Sequence, residues 1–284
     1  MRRDASTQPG YDDALVDAVL AAVLPSAFAS AKPRLVGLSG LQGSGKSTFA
    51  RQLARAAAHR GVRTEVLALD DFYRGRRERA QLARDVHPLL ATRGVPGTHD
   101  LALLDRTLRA LSRASIARPA SIPRFDKGRD TRVPPSRWRR VTAVSRLILL
   151  EGWCVGVPAQ RANELARSVN PLERREDCDA SWRTWVNQKL ASDYARLWRS
   201  LDSLIVLAAP DFTIVERWRD EPERVLRKRR APQAMSRAKL RRFLQHYERL
   251  SRHALRTLPA IADVLVTLDA NRKPTRVRVG KPKS

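Results

Sequence analysis

The sequence predicts an α/β fold in which a parallel sheet is covered by helices on both faces. Two observations predict it. Five short runs, "RLVGLS" (34–39), "VRTEVLALD" (62–70), "SRLILLEGW" (145–153), "SLIVLAAP" (203–210) and "ADVLVTLD" (262–269), are nearly continuous in apolar residues, as strands buried on both faces are. The stretches between them carry helical spacing, and the first run passes through a glycine-rich turn straight into a helical pattern.

Taken in order, the chain begins Met1-Arg2-Arg3 and continues into "ALVDAVLAAVLPSAFASA", which imitates a secretory leader. Asp12 and Asp13 precede the apolar stretch and Asp17 interrupts it. Leu15, Val19 and Val23 share one helical face, closed by Pro25. We read residues 1–30 as a helical extension and residues 31–284 as one domain. The first strand feeds the glycine turn and the helix "KSTFARQLARAAAHR"; the second strand ends in acids. About eighty residues then precede the third strand, too many for a simple crossover. Turns at "RGVPGTHD" and "IPRFDKGRDTRVPP" mark this stretch, so helices and irregular loops are expected there, with an inserted substrate loop at about 74–140. Trp182, Trp185, Val186, Leu190, Tyr194 and Leu197 form one helical stripe, and Leu240, Phe243, Leu244, Tyr247 and Leu250 another; both read as core. No internal repeat or low-complexity linker interrupts the pattern.

At 284 residues, 43% hydrophobic and 30% charged, the chain is an ordinary globular one with a generous core. The net charge of +26 invites a nucleic-acid reading. Its excess is mostly Arg, however, dispersed along the whole chain among Asp and Glu, and no nucleic-acid module accompanies it. We therefore expect no specific nucleic-acid partner. Cys154 and Cys178 have neither disulfide-scaffold nor zinc spacing. No apolar run approaches membrane-span length, so a cytoplasmic protein without a membrane partner is expected.

The strongest signal is Gly40-Leu41-Gln42-Gly43-Ser44-Gly45-Lys46-Ser47, followed by Thr48: a complete P-loop with a strand before it and a helix after it. Glycines let backbone N–H groups converge on phosphate oxygens, and the helix N-terminus adds its positive dipole end. This pattern calls for ATP and Mg²⁺. Lys46 would bridge the β- and γ-phosphates, and Ser47 would offer its hydroxyl to the metal. No guanine-reading Asn-Lys-x-Asp segment is present, and the chain is small for a motor, so phosphoryl transfer to a small molecule leads.

Asp70-Asp71-Phe72-Tyr73 closes the second strand, at the edge where ligands of open α/β sheets collect. Asp70 is the candidate acid at an acceptor hydroxyl, with helix capping as the structural alternative. Glu151 ends the third strand and is the candidate second metal ligand. For the acceptor, Arg93, Arg124, Lys127 and Arg132 are candidate anchors for a carboxylate or phosphate, with solvated surface charges as the alternative. His99, Asp100 and Tyr73 would supply polar or ring contacts, with an N-cap neighbour or hydrogen-bond spacer as the alternative for His99. The basic segment "VERWRDEPERVLRKRR" (215–230) reads as a lid helix, the lid spanning about 211–235. Arg217, Arg219, Arg224 and Arg227 are its candidate cations, and a solvated basic face is the alternative.

These residues resemble the plant-type D-glycerate 3-kinases and their bacterial relatives, within the uridine kinase and pantothenate kinase branch of P-loop kinases. The resemblance covers nearly the whole chain beyond Lys32 and rests on "GLSGLQGSGKST", "LALDDFY", "RGVPGTHD", "PRFDKGRDTR", "LLEGW", "WRTWVN", "WRDEPE" and "FLQHYERL". It implies a P-loop NTPase three-layer fold, with five parallel strands in the order 2-3-1-4-5 and a helical lid. It also implies ATP-dependent phosphorylation of D-glycerate to 3-phosphoglycerate, with Asp70 at the acceptor hydroxyl. Pro222 departs from the family, which carries Gln there in our reading. Proline suits a first helical turn and breaks an interior, so it bears on where this helix starts. A nucleoside or pantothenate kinase would want an aromatic pocket that the charged loops do not suggest. A basic nucleotide-dependent nucleic-acid binder is the reading from another class.

Overall fold

A computed structural model describes residues 10–24, 32–231 and 234–280. Its central sheet has five parallel strands, β1 (Arg34–Gly40), β2 (Thr64–Ala68), β3 (Leu147–Gly152), β4 (Ser203–Ala208) and β5 (Val264–Leu268). They lie in the order β2-β3-β1-β4-β5, which is the expected 2-3-1-4-5. Alternate residues of each strand serve opposite faces. Leu147 and Leu149 join one core, and Ile148 and Leu150 the other, which is why these strands read as continuous apolar runs.

The expected count of five needs correction. A sixth strand, β6 (Pro274–Val279), pairs antiparallel with β5 at the sheet edge. All six of its residues are exposed, and arginines alternate with Val277 and Val279, so no apolar run announced it. The second strand is also shorter than expected: Leu69–Phe72 leaves it as a 3₁₀ turn, aiming two successive acids off the strand end.

Helix α1 (Asp13–Val23) is capped by Asp12, whose carboxylate accepts from the Ala14 amide at 2.9 Å. It buries Val16, Val19, Leu20 and Val23 in the same core as Phe49, Ala50 and Leu53 of α2 (Lys46–His59), the helix after the glycine turn. Pro25, the expected stop, lies outside the described residues. The long insertion contains α3 (Arg76–Asp85), α4 (Leu101–Leu111) and two short antiparallel pairs, Ala120–Ile122 with Arg139–Val141 and Phe125–Asp126 with Thr131–Arg132.

Both aromatic stripes are core, as their spacing implied. Trp182, Val186, Leu190 and Tyr194 are buried, with Trp185 and Leu197 packed against them; Leu240, Leu244, Tyr247 and Leu250 are buried in the helix Arg237–Ile261. That helix is tied down by a buried ion pair from Arg249 to Glu173 at 2.7 Å. Cys154 is buried and Cys178 exposed, and both are free thiols. No helix among the described residues is long and apolar enough to cross a membrane.

Candidate active site

The glycine turn lies between the C-terminal end of β1 and the N-terminus of α2. Gly43 and Gly45 sit at φ +86° and +88°, a region that L side chains avoid, so these two positions require glycine. A Cβ on Gly43 would also stand 2.6 Å from Cβ of Trp218. The Gln42 side-chain amide is shielded from solvent, and among the described residues neither its oxygen nor its nitrogen has a partner. Such an orphaned amide at the rim of a converging set of N–H groups suits a polar ligand.

Two acid-bearing strand ends face this cradle. Glu151 stands in register with Leu38 of β1 and Ala68 of β2, and it is buried. Its Oε1 accepts a hydrogen bond from the Ser47 hydroxyl at 2.6 Å. A hydroxyl and a carboxylate side by side are hard oxygen donors suited to Mg²⁺ with its remaining waters.

Asp70 sits on the 3₁₀ turn after β2. Its Oδ1 accepts from the Tyr73 hydroxyl at 2.8 Å and its Oδ2 from Lys127 Nζ at 2.6 Å. Burial alone would raise this carboxyl, but the Lys127 charge and hydrogen bond, Lys46 and Tyr73 outweigh it and hold the group well below the usual carboxylate range. The neighbouring Asp71 behaves oppositely. It accepts from the Phe125 amide at 2.9 Å, yet burial pushes its carboxyl up to about 6. The two acids therefore differ sharply in proton affinity: Asp70 stays ionised well into acid, whereas Asp71 takes up its proton as pH falls through about 6.

The inserted loops divide into those that reach Asp70 and those that support it. Lys127, on the exposed tip of the hairpin 125–132, reaches it directly. Arg93 is ion-paired to Asp130 and lies over the Phe125 ring at 5.7 Å. Asp130 also binds Arg79, a fully buried side chain, at 2.6 Å. Arg132 donates to the Tyr73 carbonyl at 3.0 Å and to Asp100 at 3.3 Å. These arginines hold the hairpin in place. Arg124 is exposed, with no side-chain hydrogen bond among the described residues.

Two expected acceptor contacts are placed otherwise. Asp100 is the N-cap of α4, its Oδ1 accepting from the Leu103 amide at 2.9 Å while its Oδ2 faces Arg132. His99 is buried one ring behind Tyr73, stacked on it at 4.6 Å, because the backbones of 73 and 99 pair as a β-bridge. Its Nδ1 lies 2.6 Å from the Tyr194 hydroxyl, and burial pulls its pKa down to about 4, leaving it neutral at physiological pH. His99 thus steadies Tyr73 rather than facing the acid.

Helix Ile214–Lys228 carries the four basic candidates and runs through Pro222, so the proline is interior and not in a first turn. Arg217 binds the Ala270 carbonyl and Asn271, while Arg224 and Arg227 both pair with Asp220. Arg219 is the exception. Its nearest acid is Glu223 at 3.8 Å, and its charge is felt at Lys127 and at the Tyr247 hydroxyl, beside Asp70.

Two residues behind the cradle gave no sequence signal. The Tyr11 hydroxyl donates to the Ser44 carbonyl at 2.8 Å, and Arg272 Nε donates to the Gly43 carbonyl at 2.6 Å. The partners are too far apart in sequence for any motif to link them.

Comparison with known proteins agrees with this arrangement. No family model matches the chain. It is 33% identical over 240 residues to the uncharacterized kinase mug58 of Schizosaccharomyces pombe, covering 82% of this chain and 85% of that protein. It is 31% identical over 204 residues to the chloroplastic D-glycerate 3-kinase of Arabidopsis thaliana, covering 69% of this chain and 42% of that protein. In fold it is similar to the solved D-glycerate 3-kinase of Cryptococcus neoformans, with a TM-score of 0.74 at 22% identity over 94% of this chain and 97% of that one. A complete P-loop, strand-end acids in its reach and relatives at this identity lead to one conclusion: the chain belongs to the same family of P-loop kinases as the mug58 kinase.

Proposed function

We propose that this protein transfers the γ-phosphate of ATP to a hydroxyl of D-glycerate, giving 3-phosphoglycerate. The observation that carries the reading is the Lys127–Asp70 pair, 2.6 Å long, with Asp70 within reach of the Lys46 charge. An acceptor with a carboxylate beside its hydroxyl matches both members of that pair. The carboxylate competes for Lys127, and Asp70, relieved of its cation, turns to the hydroxyl. The chloroplastic relative's substrate supports the same choice.

Lys46 and the P-loop amides bind the phosphates, and Ser47 and Glu151 are the residues that would hold Mg²⁺. When bound there, the metal would supply charge neutralisation for the phosphates. Asp70 orients the acceptor O–H and takes its proton as that oxygen forms a bond to the γ-phosphorus. The bond to the β–γ bridging oxygen breaks and ADP leaves. Because phosphoryl transfer proceeds through a loose transition state, positioning by Asp70 counts for more than its basicity, and a low pKa is no obstacle. Arg219, whose charge reaches Lys127, is the arginine we assign to stabilising the transferring group. A cytoplasmic location, where ATP is abundant, accompanies this reading.

The test is kcat/KM for D-glycerate, glycerol, uridine and pantothenate measured side by side with ATP and Mg²⁺. D-glycerate is expected to lead. Preference for uridine or pantothenate would move the assignment to another kinase of the branch, and no acceptor-dependent turnover would revive the nucleic-acid reading.

A further inference from the structure

We infer that Tyr11 and Arg272 are positioning residues of the phosphate cradle, gripping its outward-facing carbonyls from opposite ends of the chain. The inference rests on the ATP-binding reading of the P-loop but not on the identity of the acceptor.

The cradle works through backbone N–H groups, and each N–H shares a rigid peptide plane with the carbonyl of the preceding residue, pointing the opposite way. Fixing the Ser44 carbonyl therefore aims the Gly45 N–H, and fixing the Gly43 carbonyl holds the plane of the Ser44 N–H, which closes the turn on the Leu41 carbonyl at 3.1 Å. A donor on a carbonyl also polarises its amide and strengthens the N–H on the far side. Tyr11 and Arg272 supply these donors at 2.8 and 2.6 Å. Left-handed glycines at 43 and 45 make the turn easy to form and easy to deform, so clamps on its outer edge have work to do.

Each clamp is itself held. Tyr11 exchanges two hydrogen bonds with the Gln52 side chain, at 2.9 and 2.7 Å, and its ring lies 4.6 Å from Phe49, so it is seated on the helix that follows the P-loop. Burial raises its phenol above the ordinary value, keeping the proton it donates. Arg272 occupies the left-handed region at φ +67° in the turn between β5 and β6, a strained conformation for arginine. Its side chain is 14% exposed and also binds Glu221 at 2.6 Å.

Arg272 further connects the cradle to the lid helix. Pro222 has no N–H, so the Trp218 carbonyl four residues earlier loses its helical donor. Arg272 Nη2 reaches that carbonyl at 3.4 Å, and its guanidinium lies 5.2 Å from the Trp218 ring centre. One side chain thus spans the P-loop, the orphaned carbonyl and a carboxylate of the same helix. The interior proline, awkward for the helix, provides the acceptor that joins lid to cradle.

The experiment measures Mg·ATP affinity by calorimetry and nucleotide-free melting for the full chain and for Tyr11→Phe, Arg272→Met and Arg272→Lys. Tyr11→Phe keeps the ring and its packing, and is expected to weaken ATP binding about 3- to 10-fold, the scale of one hydrogen bond. Arg272→Met is expected to weaken it about 10- to 100-fold, with partial recovery in Arg272→Lys. The acceptor KM should stay unchanged in all three. ATP affinities within about 2-fold of wild type, whatever happens to melting, would overturn the inference by reducing both residues to packing. Lys46→Ala separates the underlying reading: if wild type and Lys46→Ala bind ATP equally, the cradle assignment itself fails.

Discussion

Ser47 and Glu151, separated by 104 positions in sequence, are joined by a 2.6 Å hydrogen bond from hydroxyl to carboxylate. The helix after the glycine turn and the end of the central strand β3 meet at this point. Both side chains are thereby held side by side, as a pair of hard oxygen ligands for a divalent metal would have to be.

Glu151→Gln keeps the shape and the hydrogen-bonding oxygen but removes the charge. We expect kcat to fall about 10²-fold or more and the Mg²⁺ requirement to rise, with metal-free nucleotide binding nearly unchanged. Titrating activity with Mg²⁺ at saturating ATP decides it. An unaltered Mg²⁺ dependence would remove Glu151 from the metal site.

Asp70→Asn and Asp71→Asn test which acid meets the acceptor. Asp70 is ionised and exposed enough to be reached, with its side chain 29% accessible, whereas Asp71 is spent on the Phe125 amide. Asp70→Asn should lower kcat about 10²-fold while leaving ATP binding intact; Asp71→Asn should act mainly on the hairpin that carries Lys127. The opposite order of effects would exchange their roles.

Of the four basic candidates on helix Ile214–Lys228, Arg219 is the least committed, its acid partner Glu223 standing 3.8 Å away. Arg224 and Arg227 are committed to Asp220, and Arg217 to the turn at 270–271, while the charge of Arg219 reaches Lys127. Arg219→Ala should cost about 10²-fold in kcat, the scale of a lost transition-state donor, and Arg224→Ala about 2-fold or less. Steady-state kinetics of the two variants at saturating substrates makes the comparison.

Much of this site was legible because its signals are local. The P-loop is contiguous, and Asp70 and Glu151 stand out as acids closing apolar runs. The parallel strands announced themselves because burial on both faces leaves no polar alternation. What could not be read depends on contacts across the fold. Lys127 and Arg124 look alike in one charged loop, yet only the fold brings Lys127 to Asp70, 57 positions away. His99 and Asp100 sit in a loop rich in polar residues, but backbone pairing with residue 73 turns His99 inward and the start of α4 takes Asp100 as its cap. Arg272 reaches Gly43 across 229 positions and lies beside an edge strand whose exposed, Arg-rich pattern gave no hint of a sheet.

Asp71 also predicts a pH dependence of stability. Its folded carboxyl titrates near 6 against an ordinary 3.8, because burial penalises the charge. Between these values the folded chain holds more proton than the unfolded one, so this group's contribution to stability falls as pH rises from about 4 to 6. Asp70 acts elsewhere: its lowered carboxyl gives stability that is lost as pH falls below the ordinary range. Asn at 71 keeps an oxygen for the Phe125 amide and carries no charge. The melting-temperature advantage of Asp71→Asn over wild type should therefore grow between pH 4.5 and 6.5 and level off above. A constant difference across that range would mean that Asp71 is not strained by burial.

The last prediction concerns how the acceptor is told from its analogues. D-glycerate and glycerol differ by one carboxylate, and the proposed anchor for that group is Lys127, an exposed side chain tethered to Asp70 in the resting protein. A site that pairs a charged substrate group rejects the analogue lacking it, because its own cation is left without that partner. Wild type should therefore use D-glycerate about 10³-fold more efficiently than glycerol. Lys127→Met removes the cation and keeps most of the stem. Its kcat/KM for D-glycerate should fall steeply, while its kcat/KM for glycerol, which never used the ammonium as an anchor, should change much less. The discrimination ratio then collapses toward about 10, and the shortfall from additivity measures the Lys127–carboxylate interaction itself. If Lys127→Met lowers both substrates equally, the ratio stays near 10³, and the carboxylate is read by another cation, with exposed Arg124 on the same hairpin the next to be tested.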